Sequence, residues 1–132
     1  MDSGRLEPMV REVRRLAAER PDFVYIAQPE HDTVGCYYYG ADGKGNGVGC
    51  IIGEATKALG ATRETLQRMD GGLTMREVVS LALKRSIAAS VTPDEQDAIW
   101  WLSSVQIGQD MGQSWGSAVE WADSPNVMSD LA

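Results

Sequence analysis

The chain has 132 residues, 12 Lys and Arg against 19 Asp and Glu, and a formal charge of −7. With 43% hydrophobic and 23% charged residues, it fits one globular domain that buries a core without disulfides, which excludes a disordered polyelectrolyte. The acidic balance argues against direct nucleic-acid binding through phosphate contacts, and no apolar run of about 18 residues marks a membrane span.

The first helix is the clearest element. Leu6, Met9, Val10, Val13, Leu16 and Ala17 form one apolar stripe, with Arg11, Arg14 and Arg15 away from it as a solvated face. Pro8 suits the first turn, and Pro21 ends the helix near Glu19 or Arg20. The opening MDSGRLEPMVREVRR lacks the apolar centre of a secretory signal.

Residues 22–49 change character. Phe23-Val24-Tyr25-Ile26 reads as a strand, and Val34 to Tyr39 as a second with Tyr37 and Tyr39 on one face. Asp42-Gly43 is a hairpin dipeptide, and a short third strand follows at about 44–48. The remainder reads as helical. Cys50 to Leu59 is followed by Gly60 as a stop, and Thr62 caps a short helix ended by Gly71-Gly72. Thr74-Met-Arg-Glu77 and Thr92-Pro-Asp-Glu95 are capping boxes that start two more helices, the second running to about Asp110. Ser114 caps a last helix with Trp115, Ala118, Val119 and Ala122 on one stripe. The expected fold is therefore α+β: a mostly helical single domain over 1–123, with a two- or three-stranded antiparallel sheet near the N-terminus. A flexible tail is expected at 124–132.

Charge is partitioned along this chain. Residues 1–90 carry 12 basic and 12 acidic side chains, whereas 91–132 carry seven acids, no Lys or Arg, and all four Trp. That asymmetry reads either as a solvated face over a Trp-rich core or as an acidic docking surface. The docking candidates are Asp94, Glu95, Asp97, Trp100 and Trp101, facing a basic protein partner. Adjacent Trp100 and Trp101 point about 100° apart on a helix, so both cannot sit centrally in one core interface. Self-association through an exposed Trp is a further reading.

A second set of candidates lies at the glycine-rich stretch 40–53. Glycine amides and a helix N-terminus favour an anion, and Tyr37, Tyr39, Lys44 and Cys50 surround the turn as a possible small-molecule or nucleotide site, or an enzyme centre. The spacing matches neither Gly-Lys-Ser/Thr nor G-x-G-x-x-G. Cys50 at a helix start would have a stabilised thiolate with His31 as the available base, or else be a small apolar core residue. A Cys36–Cys50 disulfide is disfavoured in a reducing cytoplasm, and these cysteines with His31 lack zinc-ligand spacing. No residue set specifies a cofactor or metal. Gln106 and Asp110, one turn apart, read as side chains that cap or bridge backbone groups at a helix end.

Cys36-Tyr37-Tyr38, Asp42-Gly43-Lys44, Cys50-Ile-Ile-Gly-Glu-Ala and Gln106-x-x-Gln-Asp-x-Gly-x-x-Trp115-Gly-x-Ala118 resemble small uncharacterised proteins of actinobacteria and their phages, over about residues 20–122. The resemblance carries no catalytic residues. It implies a cytoplasmic accessory protein, phage-encoded in some cases. The functional expectation is a non-enzymatic interaction or regulatory module. The alternative is a ligand-binding protein or enzyme at the glycine-rich hairpin.

Overall fold

The computed structural model of this chain describes residues 3–25, 49–69, 74–84 and 91–124. A 3-10 turn at Gly4–Leu6 leads into α1 (Glu7–Glu19). Then come α2 (Ile51–Ala58), α3 (Arg63–Met69), α4 (Met75–Ala82), α5 (Pro93–Asp110) and α6 (Trp115–Ala122).

All regular structure among the described residues is helical. The expected α+β class with an antiparallel sheet is thereby corrected: among the described residues the fold is all-helical. Phe23-Val24-Tyr25, the described part of the expected first strand, is not a strand. Its carbonyls serve a helix end instead. The Trp115 N–H donates to the Phe23 carbonyl and the Gly116 N–H to the Pro21 carbonyl, each at 2.9 Å. These are amides of the first turn of α6, which have no partner inside their own helix. Phe23 tilts onto Trp115 with ring centroids 4.5 Å apart, and Tyr25 is buried. A short β-branched and aromatic run reads alike in a strand and in a buried connection. The expected strands at 34–39 and 44–48, with the Asp42-Gly43 turn, lie outside the described residues.

The approach to α6 requires glycine at one point. A Cβ at Gly116 would stand 2.8 Å from the Pro21 carbonyl oxygen, a contact that backbone on both sides cannot relieve cheaply.

Helix starts follow their local chemistry. The boxes at Thr74/Glu77 and Thr92/Glu95 are both formed, and Ser114 accepts the Ser117 N–H. Gly60 and Gly112, just beyond α2 and α5, both adopt φ +92°. On α1, Leu6, Met9, Val10, Val13 and Ala17 are buried as the stripe requires, and Leu16 packs at the core's edge. The long helix α5 is the central element. It packs most extensively on α6 and also meets α1, α2 and α4, contributing Ala98, Trp101, Leu102 and Val105 to the core.

The two ends of the chain are tied by charge. Arg14 forms a bidentate pair with Asp123, both bonds at 2.9 Å. Its guanidinium lies 4.6 Å from the Trp101 ring centroid, and the indole N–H donates to the same carboxylate at 2.8 Å. Arg14, read from sequence as part of a solvated face, is thus the point where α1 grips α5 and α6. Arg15 does stay within its own helix, pairing with Glu12 and Glu19.

The Arg14 hydrogen bonds, aided by the Trp101 N–H and opposed by partial burial, hold the Asp123 carboxyl below the usual carboxylate range. A depressed folded pKa contributes stability that is present above the unfolded value, near ~3.9, and lost as pH falls through the folded one. Asp123→Asn should therefore flatten the acid limb of the stability curve, as measured by urea midpoints between about pH 2 and 5. An acid limb identical to wild type would show that the pair contributes nothing to folding.

Candidate functional site

The seven acids of the C-terminal segment divide once their partners are seen. Glu95 is 1% exposed. Its carboxylate accepts from Arg5 Nε at 2.9 Å, Arg5 Nη2 at 3.0 Å and the Thr92 N–H at 3.1 Å. Asp123 is taken by Arg14. Both are therefore fastened to the N-terminal part of the chain, so Glu95 is corrected from a docking residue to a buried structural one. Trp101, buried in the core against Arg14 and Asp123, is corrected likewise. Asp94 and Asp97 are exposed, and Trp100 is half-buried.

What remains is an outward face of α5 that sequence periodicity only partly announced. From Gln96, the positions i+3, i+4, i+7, i+11 and i+15 carry Ile99, Trp100, Ser103, Ile107 and Met111. A shallow groove of about 220 Å³ is lined by Gln96, Ile99, Trp100, Ser103 and Ile107. Ile107 is 38% exposed and Met111, just past the helix end, 75%. With Val24 they are the exposed large hydrophobic residues among those described. At 1.5 Å per residue the stripe is about 22 Å long. Exposed apolar residues scattered singly need no explanation, but a contiguous run does. The reading of α5 as inward-facing through Ala98, Trp101, Leu102 and Val105 misses this second apolar face because the inward residues alone satisfy the helical period.

Acids border the stripe. Asp97 lies one turn before Trp100, and Asp110 one turn after Ile107. The Asp110 carboxylate accepts from Gln109 Nε2 at 3.1 Å. Although its side chain is exposed by area, neighbouring atoms desolvate the carboxyl enough to raise its pKa, against the lowering effect of that hydrogen bond. Among the described residues, the salt bridges involve neither Asp94, Asp97 nor Asp110.

Tyr37, Tyr39, Lys44 and His31 lie outside the described residues. Cys50 is fully buried at the N-cap of α2 and is disulfide-bonded. The one other cysteine of the sequence, Cys36, lies outside the described residues. Cys50 thus sits in the core as the inert reading expects, but in a disulfide rather than as a thiol, a bond that the assumption of a reducing compartment disfavours. The neighbouring Ile51 N–H donates to Gln109 Oε1 at 2.7 Å. Gln109, rather than the Gln106 and Asp110 expected to bridge neighbouring backbone at the end of α5, reaches a backbone group, and it does so across to another helix. Gln106, the glutamine singled out beforehand, is buried with an Oε1 that makes no hydrogen bond.

A second cleft of about 220 Å³ lies between α1, α2 and Trp115, lined by Leu16, Glu19, Arg20, Glu54 and Trp115. Both carboxylates there are engaged: Glu19 with Arg15 at 2.9 Å, and Glu54 with Lys57 at 3.1 Å and the Gly49 N–H at 3.1 Å. Among the described residues, no group of three or more His, Cys, Asp or Glu is placed to hold a metal ion. None of their helices is long and apolar enough to cross a membrane. No protein family, curated protein or solved structure matches the chain.

Proposed function

We propose that this chain is a protein-interaction module that docks a partner on the outward face of α5. The observation that carries the reading is the apolar stripe of Ile99, Trp100, Ile107 and Met111, set on the longest described helix and bordered by Asp97 and Asp110, which form no salt bridge among the described residues. A well-packed helix supplies a rigid docking platform, and an apolar centre with a polar rim is the usual anatomy of an interface. Trp100 is the natural anchor, since buried aromatics dominate interface energetics. The resemblance to actinobacterial and phage proteins fits an accessory, non-enzymatic role of this kind.

Affinity capture with wild type and Ile107→Glu tests the reading. Ile107 is exposed enough that the change should leave the fold intact, as checked by circular dichroism. A partner held by wild type should be lost by the variant. Identical captured sets would remove α5 from the proposal.

The cytoplasmic setting expected from sequence is opposed by the Cys50 disulfide, because such bonds persist chiefly in oxidising compartments. Thiol titration of the denatured, unreduced protein from its native source is the check. No reactive thiol is expected. Two thiols per chain would return the protein to a reducing compartment.

A further inference from the structure

We infer that the partner helix accepted by α5 is basic and amphipathic, with cationic side chains at both ends of its apolar face. This inference rests on the docking reading above and names the partner's chemistry. Its first support is charge. Within α5 the ionisable side chains bordering the stripe, Asp97 and Asp110, are both acids, and 91–132 contains no Lys or Arg. The acids that could have been drawn into the core, Glu95 and Asp123, already have arginines, whereas Asp97 and Asp110 have no salt-bridge partner among the described residues. At the Asp110 end the carbonyls of the last turn of α5 add negative potential, which favours a cation further.

The second support is the failure of the competing occupant. Another copy of α5 would also present an apolar stripe. An antiparallel pair centred on Ser103 would set Asp97 of each copy against Asp110 of the other. A parallel pair would set Asp97 on Asp97 and Asp110 on Asp110. Both of these self-pairings place like charges together at both ends, and juxtaposed like charges oppose association. A partner with Lys or Arg roughly 20 Å apart along its axis, on opposite flanks of its apolar face, meets both acids while its apolar residues cover Trp100 and Ile107. The partial desolvation of the Asp110 carboxyl is consistent with this: a carboxylate that bears that cost with a neutral amide, Gln109, as its donor gains from an incoming cation.

The probes are two fluorescently labelled helical peptides of about 18 residues. They share one leucine face, and one carries lysines where the other carries glutamates. Binding is followed by anisotropy. The lysine peptide is expected to bind, to weaken with added salt, and to lose at least about tenfold in affinity to Ile107→Glu and severalfold to Asp97→Asn/Asp110→Asn. Equal binding of the lysine peptide to all three proteins would overturn the inference, since it would report only attraction to a net charge of −7. Failure of both peptides would overturn it too. Equal binding of both peptides, abolished by Ile107→Glu, would overturn the basic partner while leaving the docking face standing. A concentration-dependent dimer in sedimentation, lost in Ile107→Glu, would replace the inference with self-pairing.

Discussion

Gln109→Leu is expected to lose about 3 kcal/mol of stability, although the two side chains are similar in size. Gln109 is 1% exposed, and its Oε1 accepts two buried donors: the Ile51 N–H at 2.7 Å and the Trp115 indole N–H at 3.1 Å. One atom thereby satisfies an amide at the start of α2 and the largest fully buried side chain of the core. Leucine would leave both donors unpaired away from water, at about 1–3 kcal/mol each, offset in part by its better apolar transfer. Urea unfolding with an unchanged denaturant slope is the measurement. A loss under about 0.5 kcal/mol would show that the two donors find other partners. Gln109→Glu separates acceptor loss from shape. Its carboxylate still accepts both donors, but a charge then sits in the core beside Asp110. Desolvation raises the folded pKa of such a group, so its stability should be highest in acid and fall as pH rises through that value.

The second large effect is expected at Glu95. Glu95→Ala removes half of the Thr92 capping box and a buried carboxylate that holds Arg5 in two bonds. The Arg5 side chain is 63% exposed and can return to water. The cost is therefore expected to be about 2 to 3 kcal/mol, below the loss that follows when a buried charge is stranded. The reverse substitution, Arg5→Met, takes a bidentate cation away from a carboxylate that is 1% exposed. Adding Glu95→Gln to Arg5→Met should recover part of that loss. Strict additivity of the two changes in a double-mutant cycle would mean that the pair is not coupled.

The parts of this fold legible in sequence are those dictated by neighbours a few residues away. Thr74 and Thr92 with glutamate three residues on, Pro8 and Pro21, and Gly60 and Gly112 mark helix ends through local hydrogen bonding and backbone geometry. The structure places the helices accordingly. Phe23 to Tyr25 was not legible, because what decides it is the approach of the α6 N-terminus almost a hundred residues later. The docking candidates divide in the same way. The Thr92 capping box already required the Glu95 carboxylate to fold back on its helix, so the signal against an exposed Glu95 was present. The guanidinium that completes its burial comes from position 5, beyond any local pattern. Adjacent Trp100 and Trp101 could be seen to diverge, but which one faces inward depends on where Arg14 and Asp123 lie.

The bond between Arg14 and Asp123 spans 109 positions and that between Arg5 and Glu95 spans 90, and this has a consequence during synthesis. Helix α1 is made before α5 and α6, and its grip on them waits for both. Until then the apolar stripe of α1 lacks the α5 and α6 part of its cover. Closing so long an interval slows folding and prolongs exposure to misassembly. A nascent chain stopped before α6 should consequently be open to proteolysis along α1, and one extended beyond Asp123 and clear of the ribosome should be protected there.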